Sequence, residues 1–250
     1  MAFEVLMNGV GNAFSRRHWN TNFLVRKDGF VLAIDCPDSY RRALQDNGFE
    51  HDGEPFGVAD IDAMLVTHLH GDHVNGLEMV LAYRRYIVEE KLDLYTTVPV
   101  ASVLWEQRLG VALGRSWNGE TYEVLGPDDY YDLTQLKWDE TATIGPFDLD
   151  LRQTIHHVPT TALRISDGER TLGYSCDTAF DESLIDWLED ADQIIHETSY
   201  GPGHTPLHEL RELPEALKEK MRLVHIPDDI WELGDEVDLE FAEQGAIYEI

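Results

Sequence analysis

The order of apolar segments along the chain constrains its fold more than any other feature. Alternating or continuous apolar runs predict strands at Phe3–Met7, Asn22–Val25, Phe30–Asp35, Ala63–Thr67 and Leu92–Thr96. Among them, Asp38–Asn47 reads as a helix stopped by Gly48, followed by helices over Gly76–Lys91 and Pro99–Leu109. The second half repeats the scheme, with strands at Phe147–Thr154, Thr161–Ser166, Thr171–Ser175 and Gln193–Glu197 and helices over Asp181–Leu188 and Leu207–Glu219. Leu223–His225 and Ala246–Glu249 close the chain as strands. Strands and helices, then the same order again, is the pattern of two packed sheets with helices outside, an α/β four-layer αββα sandwich. A chain of 250 residues with 43% hydrophobic content can fill such a core. Gly and Pro punctuate the segments without forming a linker, so the expectation is one domain over residues 1–250.

Charge narrows the partners. Nineteen Lys and Arg against 48 Asp and Glu leave a formal charge of −29, which repels an extended polyanion and argues against duplex nucleic acid. No apolar run approaches the roughly 18 residues of a membrane helix. The start Met-Ala-Phe-Glu lacks a signal pattern, and two cysteines make no disulfide framework, so a cytoplasmic protein is expected. Cys36 and Cys176 read as small packing residues at strand ends. The aromatic-rich stretch Leu104–Tyr131, with Trp105, Trp117, Tyr122, Tyr130 and Tyr131, is expected to wall a pocket or to form the face of a homodimer.

The chemistry is concentrated in Thr67-His68-Leu69-His70-Gly71-Asp72-His73, between a predicted strand and a helix. With 11 histidines in the chain, His-x-His-x-Asp-His has a chance expectation of roughly two in a thousand, which makes a His-rich surface loop a poor explanation. Alternate residues of extended chain face the same way, so His68 and His70 can share one cation, and the turn at Gly71 can aim Asp72 and His73 at a second.

This loop resembles the signature of the metallo-β-lactamase fold superfamily, whose members are mostly dinuclear metallohydrolases. The resemblance runs over nearly the whole chain. Ile155-His156-His157-Val158-Pro159 is similar to the segment that supplies a third histidine to the first site, matched by His156 with His157 as the alternative. Tyr174-Ser175-Cys176-Asp177 is similar to the strand end carrying a bridging aspartate, and Leu223-Val224-His225 to the strand that ends in the last histidine. The resemblance therefore implies His68, His70 and His156 on one metal, Asp72, His73 and His225 on the other, and Asp177 between them. Zinc is the expected ion, with manganese or iron compatible with the same donors.

Two further segments resemble the phosphodiesterase branch of that superfamily, which includes ribonuclease Z and cyclic-phosphate phosphodiesterases. These are Ile195-His196-Glu197-Thr198 and Gly203-His204-Thr205-Pro206, with Asp35-Cys36-Pro37 similar to an element whose aspartate supports a ligand histidine. The implied activity is hydrolysis of small or cyclic phosphodiesters by a metal-bridging hydroxide, with Asp72 and His204 as catalytic residues and His204 as general acid. His208 is the competing candidate for that acid, and His196 and Glu197 take supporting roles. The chain lacks the long arm with which ribonuclease Z grips tRNA, so a small anionic ester is the expected substrate. Arg16, Arg17 and His18 offer a local positive spot for it. Two other readings compete: a carboxylic ester, lactone or thioester hydrolase of the same fold, and a non-catalytic ligand-binding module.

Overall fold

Two seven-stranded sheets lie face to face in the computed structural model, which describes residues 2–250. The first sheet runs Tyr131–Leu136, Leu92–Thr97, Ala63–Val66, Phe30–Ile34, Asn22–Lys27, Glu4–Gly9 and Ile247–Glu249 from edge to edge. The second runs Thr141–Ile144, Phe147–Gln153, Thr161–Ser166, Thr171–Tyr174, Gln193–Glu197, Met221–Val224 and Glu240–Phe241.

Side-chain alternation makes the layers. Val5, Met7, Phe23, Val25, Leu32 and Ile34 point inward against Phe147, Leu149, Leu163 and Ile165 of the facing sheet. Their strand neighbours Leu6, Leu24, Val31 and Ala33 point outward, under Leu44, Leu77, Val80 and Leu81 of the helices. On the far side Ala162, Ile194 and Leu223 meet Leu184, Leu188 and Leu210. Helix, sheet, sheet and helix are the four expected layers, and every strand named in the sequence has a counterpart.

Four local details differ from the expectation. Leu207–Glu219 is two short helices, Leu207–Arg211 and Glu215–Lys218, because Pro214 has no N–H to continue the first. The helix from Leu77 passes at Tyr83 into a π-turn over Arg84–Val88, and the one from Val98 into a π-turn over Trp105–Leu109 before ending at Leu113. Tyr131–Leu136 and Thr141–Ile144 are edge strands that periodicity does not reveal, since most of their side chains are solvent-exposed or only half-buried. The Leu223–His225 segment ends its strand at Val224. Among the described residues no helix is long and apolar enough to cross a membrane.

The topology sets out one working edge. Phe30–Ile34, Ala63–Val66 and Leu92–Thr97 are parallel, as are Thr171–Tyr174, Gln193–Glu197 and Met221–Val224. Carboxyl ends of parallel strands leave the chain turning over one rim, where ligands of α/β sheets bind.

Candidate metal centre

Each strand that ends at this rim delivers a polar side chain. Asp35 follows Ile34, His68 follows the strand to Val66 by two residues, Asp177 lies three beyond Tyr174, Glu197 ends its own strand, and His225 follows Val224. Asp35, Cys176 and His225 are held at φ of 63°, 50° and 57°, a left-handed backbone that non-glycine residues adopt at a cost of about 1–3 kcal/mol. Tertiary hydrogen bonds hold them there: Asp35 N–H donates to Leu65 C=O at 2.9 Å and His225 N–H to Thr21 Oγ1 at 2.9 Å. Gly76 closes the ligand loop onto its neighbour, because a Cβ there would lie 2.0 Å from the Pro37 carbonyl oxygen.

Seven side chains named in the sequence converge into two groups that share one carboxylate. His68, His70, His156 and Asp177 form the first, and Asp72, His73, Asp177 and His225 the second, with donor atoms in each within 4.8 Å of one another. In the first group His156 Nε2 is 3.0 Å from His70 Nδ1 and 3.7 Å from Asp177 Oδ2, which is also 3.7 Å from His68 Nε2. In the second, His225 Nε2 lies 3.1 Å from Asp72 Oδ2 and 3.5 Å from Asp177 Oδ2, and His73 Nε2 lies 3.3 Å from Asp177 Oδ1. Donors bonded at about 2.0–2.1 Å to a tetrahedral cation stand about 3.3 Å apart, the spacing of these contacts. The orphaned atoms make the same case. His68 Nε2, His73 Nε2 and Asp177 Oδ1 are buried without a hydrogen-bond partner, which is costly unless a cation meets them.

Electrostatics prepares the donors. Burial lowers the imidazoles of His68 and His70, and takes His156 down to about 4, so these are neutral with lone pairs available. Burial opposes ionisation of Asp177, but the imidazoles of His225 and His73 outweigh it and hold the carboxyl well below the usual range. Asp72 is held down in the same way: burial opposes its ionisation, but its hydrogen bond with His225 and the charges of His73 and His225 together outweigh it. For His73 and His225 burial is overcome by the carboxylates, Asp177 first, and both are raised. Two carboxylates, one fully and one partly buried, thus draw positive charge onto the imidazoles beside them, which is the demand a divalent cation meets.

Second contacts orient the candidate donors. Asp35 Oδ2 is 2.8 Å from His73 Nδ1, while Asp35 Oδ1 accepts from the Thr67 backbone N–H at 2.8 Å. Asp35→Ala is expected to weaken binding at the second group by about 10–100-fold, read by metal titration, because His73 would lose the partner that fixes its ring. Titration with unchanged affinity would show that the ring is held by packing alone. The Gly203 carbonyl is 2.7 Å from His156 Nδ1, which explains why His156 rather than its neighbour His157 turns into the cluster. His204 also comes to the rim, with Nδ1 2.9 Å from Glu197 Oε1 and its ring stacked 5.0 Å from that of His225. His208 stays on the surface and faces Glu209 at 3.7 Å.

Other expectations land differently. Arg17 is paired with Glu232 at 2.7 Å and His18 is stacked on Trp231, which leaves Arg16 as the member of that trio whose guanidinium has no partner among the described residues. Cys36 and Cys176 are buried free thiols, and Cys176 Sγ donates to Thr67 Oγ1 at 3.2 Å. Trp105 packs with Tyr130 and Tyr131, whereas Trp117 and Tyr122 are exposed. Sequence reading missed Arg108, whose guanidinium donates to the Leu69 carbonyl at 3.1 Å and to Asn75, fastening the helical insert to the ligand loop. No sequence signal marks it, because the contact spans 39 positions.

His196 is buried beside the site, and burial lowers its imidazole to about 4. A pKa depressed on folding means a stability contribution fully present above the unfolded value near 6.5 and lost as pH falls toward 4. The whole shift corresponds to about 3 kcal/mol. Urea denaturation of metal-free protein at pH 6.5 and 4.5 is expected to show a smaller loss of stability in His196→Asn than in the parent, and equal losses would refute it.

The comparisons with known proteins agree with this geometry. The family model of Anti-Pycsar protein Apyc1 matches residues 3–248. The chain belongs to the Apyc1 family. Apyc1 of Bacillus phage vB_BveM-Goe7 is 33% identical over 260 residues, spanning 97% of this chain and 96% of that protein. Apyc1 of Paenibacillus sp. (strain J14) is 33% identical over 258 residues, 99% of each. Among solved structures, the metallo-β-lactamase fold protein YhfI from Bacillus subtilis superposes over 100% of both chains with a TM-score of 0.78 at 19% identity. A diphosphatase from the PhnP family gives 0.75 at 17% identity, over 100% of this chain and 98% of that one. The Apyc1 family member described here therefore has the metallo-β-lactamase fold, and it is a metal-dependent hydrolase of the phosphodiesterase type.

Proposed function

We propose that the chain hydrolyses cyclic nucleotides at two zinc ions, one held by His68, His70 and His156, the other by Asp72, His73 and His225, with Asp177 shared. The observation that carries this reading is the meeting of these side chains in two groups joined at one carboxylate, with an imidazole–carboxyl pair beside them. When bound, the cations supply a water activated near neutral pH and positive charge at the phosphate oxygens. Membership of the anti-Pycsar family favours a cyclic nucleotide among small phosphodiesters. The charge of −29 disfavours a long RNA at the same cleft. The free thiols of Cys36 and Cys176 suit a reducing, cytoplasmic setting.

The chain's own residues handle the proton. Water adds across the phosphorus–oxygen ester bond, its oxygen going to phosphorus, and the departing sugar oxygen needs a proton. His204 Nδ1 faces Glu197 at 2.9 Å, so the proton to be delivered sits on Nε2. Burial and the neighbouring Asp177 push Glu197 up and burial pushes His204 down, so both shifts favour the proton of the pair on the carboxyl. His204 can then give its Nε2 proton to the leaving oxygen while Nδ1 takes the proton of Glu197, and no net charge is buried at the start.

The test is a substrate panel with metal analysis. Purified protein is expected to hold two equivalents of metal, to open a cyclic nucleotide and cleave bis(p-nitrophenyl) phosphate, and to leave an acyl lactone intact. Chelation should abolish turnover and added zinc restore it. Turnover of the lactone alone would overturn the phosphodiester reading, and bound metal with no turnover of any ester would restore the non-catalytic one.

A further inference from the structure

We propose that His157 is a substrate-positioning residue whose imidazole hydrogen-bonds the ribose 2′-hydroxyl of a bound 3′,5′-cyclic ribonucleotide. The inference rests on the cyclic-nucleotide reading above and deepens it. Its ring centroid lies 5.0 Å from that of His156, 6.2 Å from His70 and 6.3 Å from His204. It therefore stands beside two donors of the first group and the proposed acid, yet belongs to neither metal group.

Two observations separate His157 from an idle surface histidine. First, its position is constrained: a Cβ built on Gly203 would come within 2.6 Å of His157 Nε2, so the imidazole packs against the α-carbon of the residue whose carbonyl holds His156. Second, the ring is exposed and neither nitrogen has a hydrogen-bond partner among the described residues. With Nε2 against Gly203, Nδ1 is the nitrogen open to a ligand, and a neutral imidazole can use it to donate to or accept from one hydroxyl. A phosphate only accepts, and the cation groups already take it. A ribose hydroxyl can meet Nδ1 in either sense, and a cyclic ribonucleotide bound with its phosphate at the two donor groups would carry one.

The experiment compares a 3′,5′-cyclic ribonucleotide with its 2′-deoxy analogue on wild-type protein, His157→Ala and His157→Gln. A neutral hydrogen bond sets the scale at up to about tenfold. The wild type should show a KM about five- to tenfold lower for the ribonucleotide. His157→Ala should raise the ribonucleotide KM by that factor with kcat little changed, erase the preference between the two sugars, and retain two equivalents of metal. His157→Gln, which keeps a donor and an acceptor, should recover part of the preference. Loss of metal in His157→Ala, an equal change for both sugars, an effect on kcat alone, or no change at all would each overturn the assignment. Wild-type protein that cleaves bis(p-nitrophenyl) phosphate but opens no cyclic nucleotide would overturn the proposed substrate itself, a result distinct from a failure confined to the variants.

Discussion

Asp177→Ala is expected to lower kcat/KM for a cyclic phosphodiester by about a thousandfold or more and to reduce bound metal below two equivalents. The carboxylate is buried at the junction of both donor groups, with oxygens within 3.3–3.7 Å of His68, His73, His156 and His225. Its removal leaves imidazoles facing one another around a void and takes away the anion that both cations would share. Loss of several kcal/mol of charge stabilisation at the phosphate corresponds to this factor at about 1.4 kcal/mol per decade. Metal analysis beside steady-state kinetics checks it. A variant that keeps two metals and near-normal turnover would mean that Asp177 is a structural partner of His73 and no more.

His204→Ala is the second large effect, and it differs in kind. The ring sits 5.1 Å from His156 and 5.0 Å from His225, yet its Nδ1 is engaged by Glu197. The variant should therefore retain both metals while kcat for a poor alkoxide leaving group falls by about 10²–10⁴. For p-nitrophenolate, which leaves without protonation, the loss should be far smaller. Metal content separates the alternatives: if His204→Ala loses metal, the side chain is a ligand, and if both leaving groups suffer alike, it binds phosphate and does not deliver a proton. Glu197→Gln should reproduce the leaving-group dependence in weaker form, because the amide keeps the hydrogen bond to Nδ1 but holds no transferable proton.

How much of this centre can be read from the chain depends on how locally each part is encoded. His68, His70, Asp72 and His73 stand within six residues behind an apolar strand, so their common purpose is visible in one line of sequence. Asp177 and His225 were legible only through the family resemblance, since a lone Asp or His after a strand carries no signal of its own; the structure sets each just beyond a strand that ends at the rim. The family resemblance pointed to His156 with His157 as the alternative, but the contact that turns His156 inward, the carbonyl of Gly203, lies 47 positions away and is not legible in the segment. The Arg16–His18 loop shows the opposite failure. Three basic side chains in a row promised a phosphate site, but Glu232 and Trp231, distant in sequence, occupy two of them. Edge strands such as Thr141–Ile144 were missed because half-exposed strands lack the apolar alternation that marks the central ones.

The sequence by itself therefore determined the element order, the two-sheet architecture and the kind of chemistry at the rim, because hydrophobic period and ligand spacing are properties of neighbouring residues. Only the tertiary structure decided that the Gly203 carbonyl holds His156, that Glu197 backs His204 and that Arg108 ties the helical insert to Leu69. Those contacts join residues that meet only when strands from two sheets end at the same edge, and their strength depends on burial and direction, which no single segment encodes.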